Sequence, residues 1–247
     1  VSAEDIDLIG NHGQTFWHIP NEEEYLGHRL RSTLQLGEDA MLAEEFSCPV
    51  VGDFRVRDMA AGGLGAPLVP YTEFLLYRSE TECVALQNIG GIGNISFLPA
   101  GCGLDDVLAF DTGPGNMVMD AVTARLTDGA AAYDAGGALA AQGQVSEKLL
   151  RHMLNDPYLA QRPPKTTGRE RYGAEYTASL CAYAGAEGIR LLDVLATATR
   201  FTAECIAAAV RDYAPEPPAR LIVGGGGALN AALMQHIRQL LPVCRVM

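Results

Sequence analysis

The sequence predicts an α/β protein. Short apolar segments that are typical of buried strands alternate with longer segments of helical spacing along its 247 residues. Hydrophobic residues make up 48% of the chain and charged residues 19%, which is enough apolar material for a full core and excludes a disordered chain. The 27 glycines fall in clusters rather than at a fixed period, so collagen-like and linker compositions are excluded as well.

The first part of the chain contains two predicted strands. Residues 6–10 form the first strand, a segment of helical spacing covers 36–46, and residues 49–52 form the second strand. The glycine-rich turn at 62–65 is flexible and is followed by two prolines, which is typical of a hinge. We therefore place a domain boundary after residue 66.

The remainder of the chain predicts a group of strands followed by several helices. An apolar helix ends at Tyr77. The later predicted strands are 83–89, 94–98, 107–110 and 220–223, and the later predicted helices are 116–126, 144–154, 176–184, 191–213 and 231–241. Because residues 1–5 lead directly into a strand and 243–247 resemble an incomplete one, we expect this sequence to be part of a longer protein.

The formal net charge of −12 at pH 7 makes nucleic acid an unfavourable partner. An anionic ligand would have to be held locally, by backbone N–H groups and metal ions. Apolar segments reach about ten residues, too few for a membrane span of about 20, and no signal peptide is recognisable. The six cysteines are scattered without a Cys-x-x-Cys pair, which predicts reduced thiols in a cytoplasmic protein and no metal ligands.

Two glycine clusters are candidate phosphate or nucleotide sites. Residues 88–94 read Asn-Ile-Gly-Gly-Ile-Gly-Asn between two apolar strands, and a turn without Cβ atoms lets its N–H groups approach a phosphate. The alternative is a strand connection that only needs positive φ. Gly224, Gly225, Gly226 and Gly227 lie between a strand and a helix, where a nucleotide could rest near the positive helix end. A close-packed strand–helix turn explains this cluster equally well.

Asp111 is a candidate general base or ligand of a metal-bound water. It is predicted at the carboxyl end of strand 107–110, before a Gly-Pro-Gly turn and a helix, and sites in open α/β sheets gather at such ends. The alternative is a structural role, in which Asp111 caps the turn or the following helix. The spacing alone favours neither interpretation.

Polar side chains after the first two strands are candidates for binding a polyhydroxyl ligand. His12 and Gln14 follow the first strand, and Arg55, after the second, could bind a carboxylate through two nitrogens. The alternatives are an ordinary loop position for His12 and a surface ion pair of roughly 0–1 kcal/mol for Arg55. The segment 163–170, which has two cations and two threonine hydroxyls, is either a lid or an exposed loop.

Seven segments, in this order and spacing, resemble the anhydro-N-acetylmuramic acid kinase family of bacterial peptidoglycan recycling. They are residues 12–15, 53–55, 62–70, 88–94, 111–116, 164–170 and 224–230. The resemblance covers nearly the whole chain, but nothing here corresponds to the family's opening Gly-x-Met-Ser-Gly-Thr-Ser-x-Asp-Gly loop or to its C-terminal section. This chain alone is therefore expected to turn over little or no substrate.

The resemblance implies a two-lobed actin-like ATPase (ribonuclease H-like) fold, truncated at both ends. Residues 1–66 would be a partial first lobe, and residues 67–247 the second lobe with a phosphate hairpin and an adenosine-binding turn. The implied nucleotide-binding residues are Asn88, Gly90, Gly91, Gly93 and Asn94 in the hairpin and Gly224, Gly225, Gly226 and Gly227 in the turn.

By the same resemblance, Asp111 is the catalytic base, and His12, Gln14 and Arg55 bind the sugar. In the implied reaction, water opens the 1,6-anhydro bridge and O6 accepts the γ-phosphate of ATP, giving N-acetylmuramate 6-phosphate, with Mg²⁺ offsetting the phosphate charge. The family also implies a cytoplasmic homodimer.

Two other classes of protein are alternatives. A non-catalytic or chaperone-like nucleotide-binding module belongs to the same superfamily, but it would not need the polar residues of the proposed sugar site. A dinucleotide-dependent oxidoreductase is disfavoured, because Leu229 stands where the fingerprint G-x-G-x-x-G has its third glycine and the cluster comes late in the chain.

Overall fold

The computed structural model describes residues 2–247, without the side chains of residues 20 and 21. It divides into two compact units, the first ending at Val69 and the second comprising Pro70–Met247. That these units correspond to the two lobes stays a prediction. No helix in the described residues is long and apolar enough to cross a membrane. All six cysteines are described and none forms a disulfide, as the sequence predicts.

The first unit contains two small sheets and two short helices. In chain order its elements are β1 (Ile9–Gly10), β2 (Gln14–Tyr25), β3 (His28–Leu36), α1 (Asp39–Phe46), β4 (Val50–Val51) and α2 (Phe54–Ala60). β1 and β4 pair in parallel, whereas β2 and β3 form an antiparallel hairpin. His12 therefore follows the short strand β1, Gln14 begins the longer strand β2, and Arg55 lies in α2, shortly after β4.

Three expectations for the first unit are corrected. A 3₁₀ turn, Ala3–Asp5, precedes the first strand, which is shorter than the predicted 6–10; residue 1 lies outside the described residues. The helix expected from residue 36 begins at Asp39, because Leu36 still pairs with Gln14. The β2–β3 hairpin is not predicted by the sequence.

The second unit is built on one five-stranded sheet. In chain order its elements are α3 (Val69–Tyr77), β5 (Val84–Ile89), β6 (Ile92–Leu98), β7 (Leu108–Pro114), α4 (Asn116–Leu126), α5 (Glu147–Leu154), α6 (Arg169–Tyr172), α7 (Ala174–Ala186), α8 (Leu191–Tyr213), β8 (Arg220–Gly224), α9 (Ala231–Leu240) and β9 (Arg245–Val246). α4 and α8 have the bounds that the sequence predicts.

The strand order in this sheet is β7-β6-β5-β8-β9. β6 is antiparallel to both of its neighbours, whereas β5, β8 and β9 run parallel to one another. In order along the chain this is 3-2-1-4-5 with the second strand reversed, the sheet of the ribonuclease H-like fold. The predicted α/β fold class is confirmed.

Both faces of the sheet are covered. Ala85 and Ile89 of β5 lie in the main core with residues of α4, α5, α7, α8 and α9, whereas Val84 and Leu86 pack on the other face with Phe74 of α3. α8 is buried along most of its length. Packing on both faces fixes the strand ends, and the candidate site lies at those ends.

Candidate active site

The two glycine turns lie at the same end of the sheet. β5 and β8 are parallel neighbours with Asn88 opposite Gly224, so the turns that follow them leave the sheet side by side. The turns are in contact, because a Cβ on Gly225 would lie 2.6 Å from both Asn88 Oδ1 and Ile89 O. The structure thus brings together the two glycine clusters that the sequence singles out.

The hairpin turn after β5 binds the start of α4 through its carbonyl groups. Gly91 O accepts hydrogen bonds from the N–H groups of Gly115 (2.9 Å) and Met117 (3.2 Å), and Gly90 O accepts one from Asn116 N–H (2.7 Å). In the part of the chain that the structure describes, the N–H groups of Gly90 and Gly91 donate no hydrogen bond to a backbone carbonyl. They therefore remain available to an anion.

Backbone conformation does not explain the hairpin glycines. Gly90, Gly91 and Gly93 all have φ outside the positive range, so the alternative of a turn that only needs positive φ is wrong. Gly93 is required by packing, since a Cβ there would lie 2.7 Å from Thr112 Oγ1. A Cβ on Gly90 would have 3.6 Å of clearance, and one on Gly91 would meet only the flexible end of Met117. Gly90 and Gly91 fit a turn that a ligand approaches closely.

The turn after β8 combines packed and open glycines. Gly225 has a φ of +80°, and Gly227 lies against the Ile89 side chain, so packing explains these two. A Cβ on Gly224 would meet nothing within 4 Å, and one on Gly226 would meet a single side-chain atom at 3.5 Å. A 3₁₀ turn, Gly226–Leu229, lies between the glycines and α9, which begins at the predicted residue, Ala231.

Asn116 joins the two turns, and the sequence analysis does not single it out. Its Nδ2 donates to Ile89 O at 3.1 Å, and its side chain lies beside Gly226 and Gly227. Asn116 is the first residue of α4 and directly follows the Asp-Thr-Gly-Pro-Gly segment. A polar residue at the start of a helix after a glycine turn is the signal that could have identified it.

Asp111 lies within β7 rather than at its end. The strand continues to Pro114 because its last residues still pair with β6, which corrects the predicted end at residue 110. In this register Asp111 is opposite Asn94, shortly after the hairpin turn. The candidate base and the glycine hairpin therefore belong to adjacent strands of one sheet.

The carboxylate of Asp111 is held by the segment 163–170. Its Oδ2 accepts hydrogen bonds from Thr166 Oγ1 (2.7 Å) and Thr167 N–H (2.9 Å). Within residues 2–247, no hydrogen bond is made to the other carboxylate oxygen, Oδ1. Burial raises the pKa of Asp111 and the Glu170 carboxylate adds to the rise, whereas the two hydrogen bonds oppose it. The capping alternative is wrong, because the carboxylate binds this loop and not the turn or α4.

His12 and Arg55 are hydrogen-bonded to each other in the first unit. Arg55 Nη2 lies 2.9 Å from His12 Nε2, and Arg55 Nη1 donates to Gly65 O at 2.7 Å. His12 Nδ1 lies 2.7 Å from Gly13 O, so the ring proton belongs on Nδ1 and Nε2 accepts from Arg55. Gln14, the first residue of β2, is exposed. Among the described residues its side chain makes one hydrogen bond, from Nε2 to Thr15 O at 3.4 Å.

Arg55 has no carboxylate partner within residues 2–247, so the alternative of a surface ion pair is wrong. Its guanidinium is half-buried and fixed by one carbonyl and one imidazole. An oriented guanidinium without an anionic partner is suited to binding a carboxylate on a ligand.

The second unit is thus a ribonuclease H-like domain with two glycine turns and a half-buried carboxylate on adjacent strands. The sequence profile of the family described as anhydro-N-acetylmuramic acid kinase matches residues 1–247. The chain belongs to this family.

Curated relatives with that name agree with the profile. The protein of Caldanaerobacter subterraneus subsp. tengcongensis is 50% identical over 100% of this chain and 63% of its own length. The protein of Clostridioides difficile is 45% identical over 96% of this chain and 60% of its own. This chain therefore spans about three fifths of the length of these relatives. Among solved structures, the activator of 2-hydroxyisocaproyl-CoA dehydratase from Clostridium difficile with bound ADPNP aligns with a TM-score of 0.46 and 11% sequence identity. The alignment covers 97% of this chain and 85% of that protein.

Proposed function

We propose that this chain provides the catalytic base and the nucleotide-binding turns of an ATP-dependent kinase acting on 1,6-anhydro-N-acetylmuramic acid. The product would be N-acetylmuramate 6-phosphate. The observation that carries the proposal is the half-buried Asp111 carboxylate, held on one oxygen and placed on the strand next to the glycine hairpin. Membership of the family supports the substrate.

In the proposed reaction Asp111 acts as the general base. Its carboxylate takes a proton from water, the water oxygen bonds to the anomeric carbon, and the C1–O6 bond of the anhydro bridge breaks. The freed O6 then attacks the γ-phosphorus of ATP, and ADP leaves. A positioned base of this kind contributes about 10²–10⁴-fold in rate.

The geometry of each segment supports the binding roles that the family resemblance implies. We assign the hairpin from Asn88 to Asn94 to the phosphates, because its turn offers free N–H groups. The open backbone at Gly224 and Gly226 suits the adenosine, and Gly225 and Gly227 shape that turn by packing. We assign His12, Gln14 and Arg55 to the sugar, and the Arg55 guanidinium suits the carboxylate of the muramic acid.

Magnesium is the second part of the nucleotide proposal. Among residues 2–247 no group of three or more His, Cys, Asp or Glu side chains is arranged to hold a metal ion. Mg²⁺ in kinases is commonly bound by substrate phosphates with one or two carboxylates. We therefore assign Mg²⁺ to the phosphates of the nucleotide, where it would offset their negative charge.

The assembly and location of the protein are also proposals. We propose a homodimer, as the family resemblance implies, and sedimentation of the purified chain measures its oligomeric state. The six unpaired cysteines support a reducing compartment such as the cytoplasm.

Nucleotide binding and sugar-dependent turnover test the function separately. Calorimetry with ATP and Mg²⁺ should show binding to the 247-residue chain. This chain alone should form little or no ADP, so the requirement of ADP formation for the 1,6-anhydro sugar is measured in the full-length context. ATP hydrolysis that is indifferent to the sugar would support the chaperone-like alternative. A folded chain that binds no ATP would overturn the proposal.

A further inference from the structure

The segment 163–170 makes three consecutive contacts with Asp111. Lys165 O accepts a hydrogen bond from Asp111 N–H at 3.1 Å, Thr166 Oγ1 donates to Oδ2 at 2.7 Å, and Thr167 N–H donates to the same oxygen at 2.9 Å. The backbone and the carboxylate of one residue are therefore both bound by one loop. The loop is thus bound to the candidate base, and a role as a lid stays a prediction.

Lys165 attaches this loop to the core. Its Nζ donates to Tyr158 O (3.4 Å) and Leu159 O (3.3 Å). The ammonium also lies over three aromatic rings, with distances to the ring centroids of 4.7 Å for Tyr158, 5.5 Å for Tyr213 and 5.8 Å for Phe110. Cation–π attraction strengthens when the cation is removed from water, as it is for this half-buried ammonium. The loop is held in place by a half-buried cation.

The same aromatic group contacts Asp111 directly. Tyr158 Oη donates to Asp111 O at 2.6 Å, so the backbone of the candidate base is fixed from this side as well. The side chain of Asp111 can rotate about its Cα–Cβ and Cβ–Cγ bonds, and the two hydrogen bonds on Oδ2 restrict this rotation. Of the two donors, the Thr166 hydroxyl is the one that a side-chain substitution removes.

We propose that Thr166 is a positioning residue for Asp111: its hydroxyl holds Oδ2 and leaves Oδ1 as the oxygen that accepts the proton from water. This inference rests on the proposed function of Asp111 as a base. It adds a residue that does not itself touch the reacting atoms and whose effect passes through the carboxylate.

The charged and titratable groups around Asp111 set the direction of each expected change. Glu170, on the same loop, raises the pKa of Asp111, and the hydrogen bonds from Thr166 and Thr167 lower it. The partner strand β6 presents Asn94, which does not titrate. Burial raises the pKa of Tyr158 and, on α8, of Cys205, so both are neutral at pH 7. Lys165 remains a cation bound to carbonyls and rings, although burial lowers its pKa.

Titration of Asp111 by ¹³C carboxyl NMR in the 247-residue chain tests the hydrogen bond without requiring turnover. Thr166→Val should raise the pKa of Asp111 by roughly half a unit to one unit, because a donor to the ionised form is lost. Thr166→Ser should restore the wild-type value, and Glu170→Gln should lower it. Thr167→Val is the matched control, since valine keeps the N–H that bonds to Oδ2.

An unchanged pKa in Thr166→Val, or an equal rise in Thr167→Val, would overturn the inference. Thermal melting of each variant shows that the chain is folded, which is expected because Thr166 is exposed. In single-turnover ADP formation measured in the full-length context, Thr166→Val should lower the rate at saturating sugar without changing sugar affinity, and Thr166→Ser should recover it. If the full-length wild type forms no sugar-dependent ADP, the proposed function fails; if it is active and Thr166→Val is equally fast, only the role of Thr166 fails.

Discussion

The two units of this chain bury their apolar residues to very different extents. In the second unit Ile89, Phe97 and Phe201 are fully enclosed, and core residues cover both faces of the sheet. In the described residues up to Val69 no hydrophobic side chain is buried, and Phe16 is 70% exposed. Since burial of apolar surface is the main stabilising contribution to a fold, we expect the second unit to account for most of the stability.

The difference extends to the candidate site residues. Asp111 is half-buried in a strand whose neighbours and loop hold it from several sides, and burial raises its pKa. His12 is exposed, and Arg55 is oriented by two hydrogen bonds rather than by packing. We therefore expect the chemical step to depend on the well-packed unit and sugar recognition to depend on the first unit.

Paired substitutions, one in each unit, should separate these two contributions. In the full-length context, Asp111→Asn should reduce the single-turnover rate of ADP formation by about 10²–10⁴-fold, because the amide cannot take a proton from water. Affinity for sugar and ATP should change little, since the amide oxygen still accepts from Thr166 and Thr167. Arg55→Lys should do the reverse and weaken sugar binding about tenfold or more, because lysine cannot form the two-nitrogen contact. A folded Asp111→Asn variant with a near-normal rate would exclude the base.

Two phenylalanines provide the matched test of stability. Phe97→Ala removes a fully enclosed ring from β6 and should lower the free energy of unfolding by about 3–5 kcal/mol. Phe16→Ala, in the exposed β2 strand, should change it by no more than about 0.5 kcal/mol. Urea denaturation of both variants measures the difference. Equal losses would show that the two units contribute similarly to the core.

Within the second unit, neighbouring glycines should separate nucleotide binding from packing. Gly226→Val places a side chain on open backbone, so ATP affinity should fall about tenfold or more while the melting temperature is kept. Gly227→Val forces a side chain against Ile89 and should destabilise the fold by about 1–3 kcal/mol. Calorimetry with ATP and thermal melting of both variants test this. Unchanged ATP affinity in folded Gly226→Val would leave the turn with a packing role only.

The pH dependence of stability should show a carboxyl group buried in the second unit. Burial raises the pKa of Asp120, on α4, from 3.8 to about 6. A carboxyl whose pKa is higher in the folded state stabilises the fold fully below about pH 4, and this contribution is lost as the pH rises through 6. Asp120→Asn should therefore raise stability at pH 7 by about 1–2 kcal/mol and flatten the pH dependence between 4 and 7.

Melting temperatures of wild type and Asp120→Asn at pH 4.5 and pH 7 check this expectation. The variant should also keep its rate of ADP formation, because Asp120 has no part in the proposed chemistry, which makes it the control for Asp111→Asn. A lower melting temperature at pH 7 would contradict the effect of burial on Asp120.

The sequence predicts the elements of the well-packed second unit better than those of the exposed first unit. α4 and α8 have the predicted bounds because their apolar spacing matches the core against which they pack. The β2–β3 hairpin gives no such signal. β3 is mostly exposed, and β2 contains three consecutive glutamates, residues 22–24, which remove any alternation of apolar and polar residues there. Without a buried face, a strand has no alternation of apolar and polar residues to detect.

The candidate site is predicted in its parts but not in its connections. Local pattern marks Asp111, the glycine hairpin and Arg55 as candidates, because each lies beside a recognisable strand or turn, and the family resemblance implies their roles. The bond from Thr166 to Asp111 joins positions far apart in the chain, and it depends on how Lys165 fits among three rings. Side-chain packing of this kind leaves no periodic signal in the sequence.

The bonds between the hairpin and α4 have an electrostatic consequence. The carbonyl of Gly90 shares a peptide unit with the N–H of Gly91, and the carbonyl of Gly91 shares one with the N–H of Ile92. Both carbonyls accept hydrogen bonds from the first N–H groups of α4 and the residue before it, so both peptide units are polarised and their N–H groups become stronger donors. The positive potential of the helix N-terminus is thereby extended through two amide planes. In the proposed phosphate-binding role, this polarisation would favour an anion at residues 88–94, a segment without lysine or arginine in a chain with a net charge of −12.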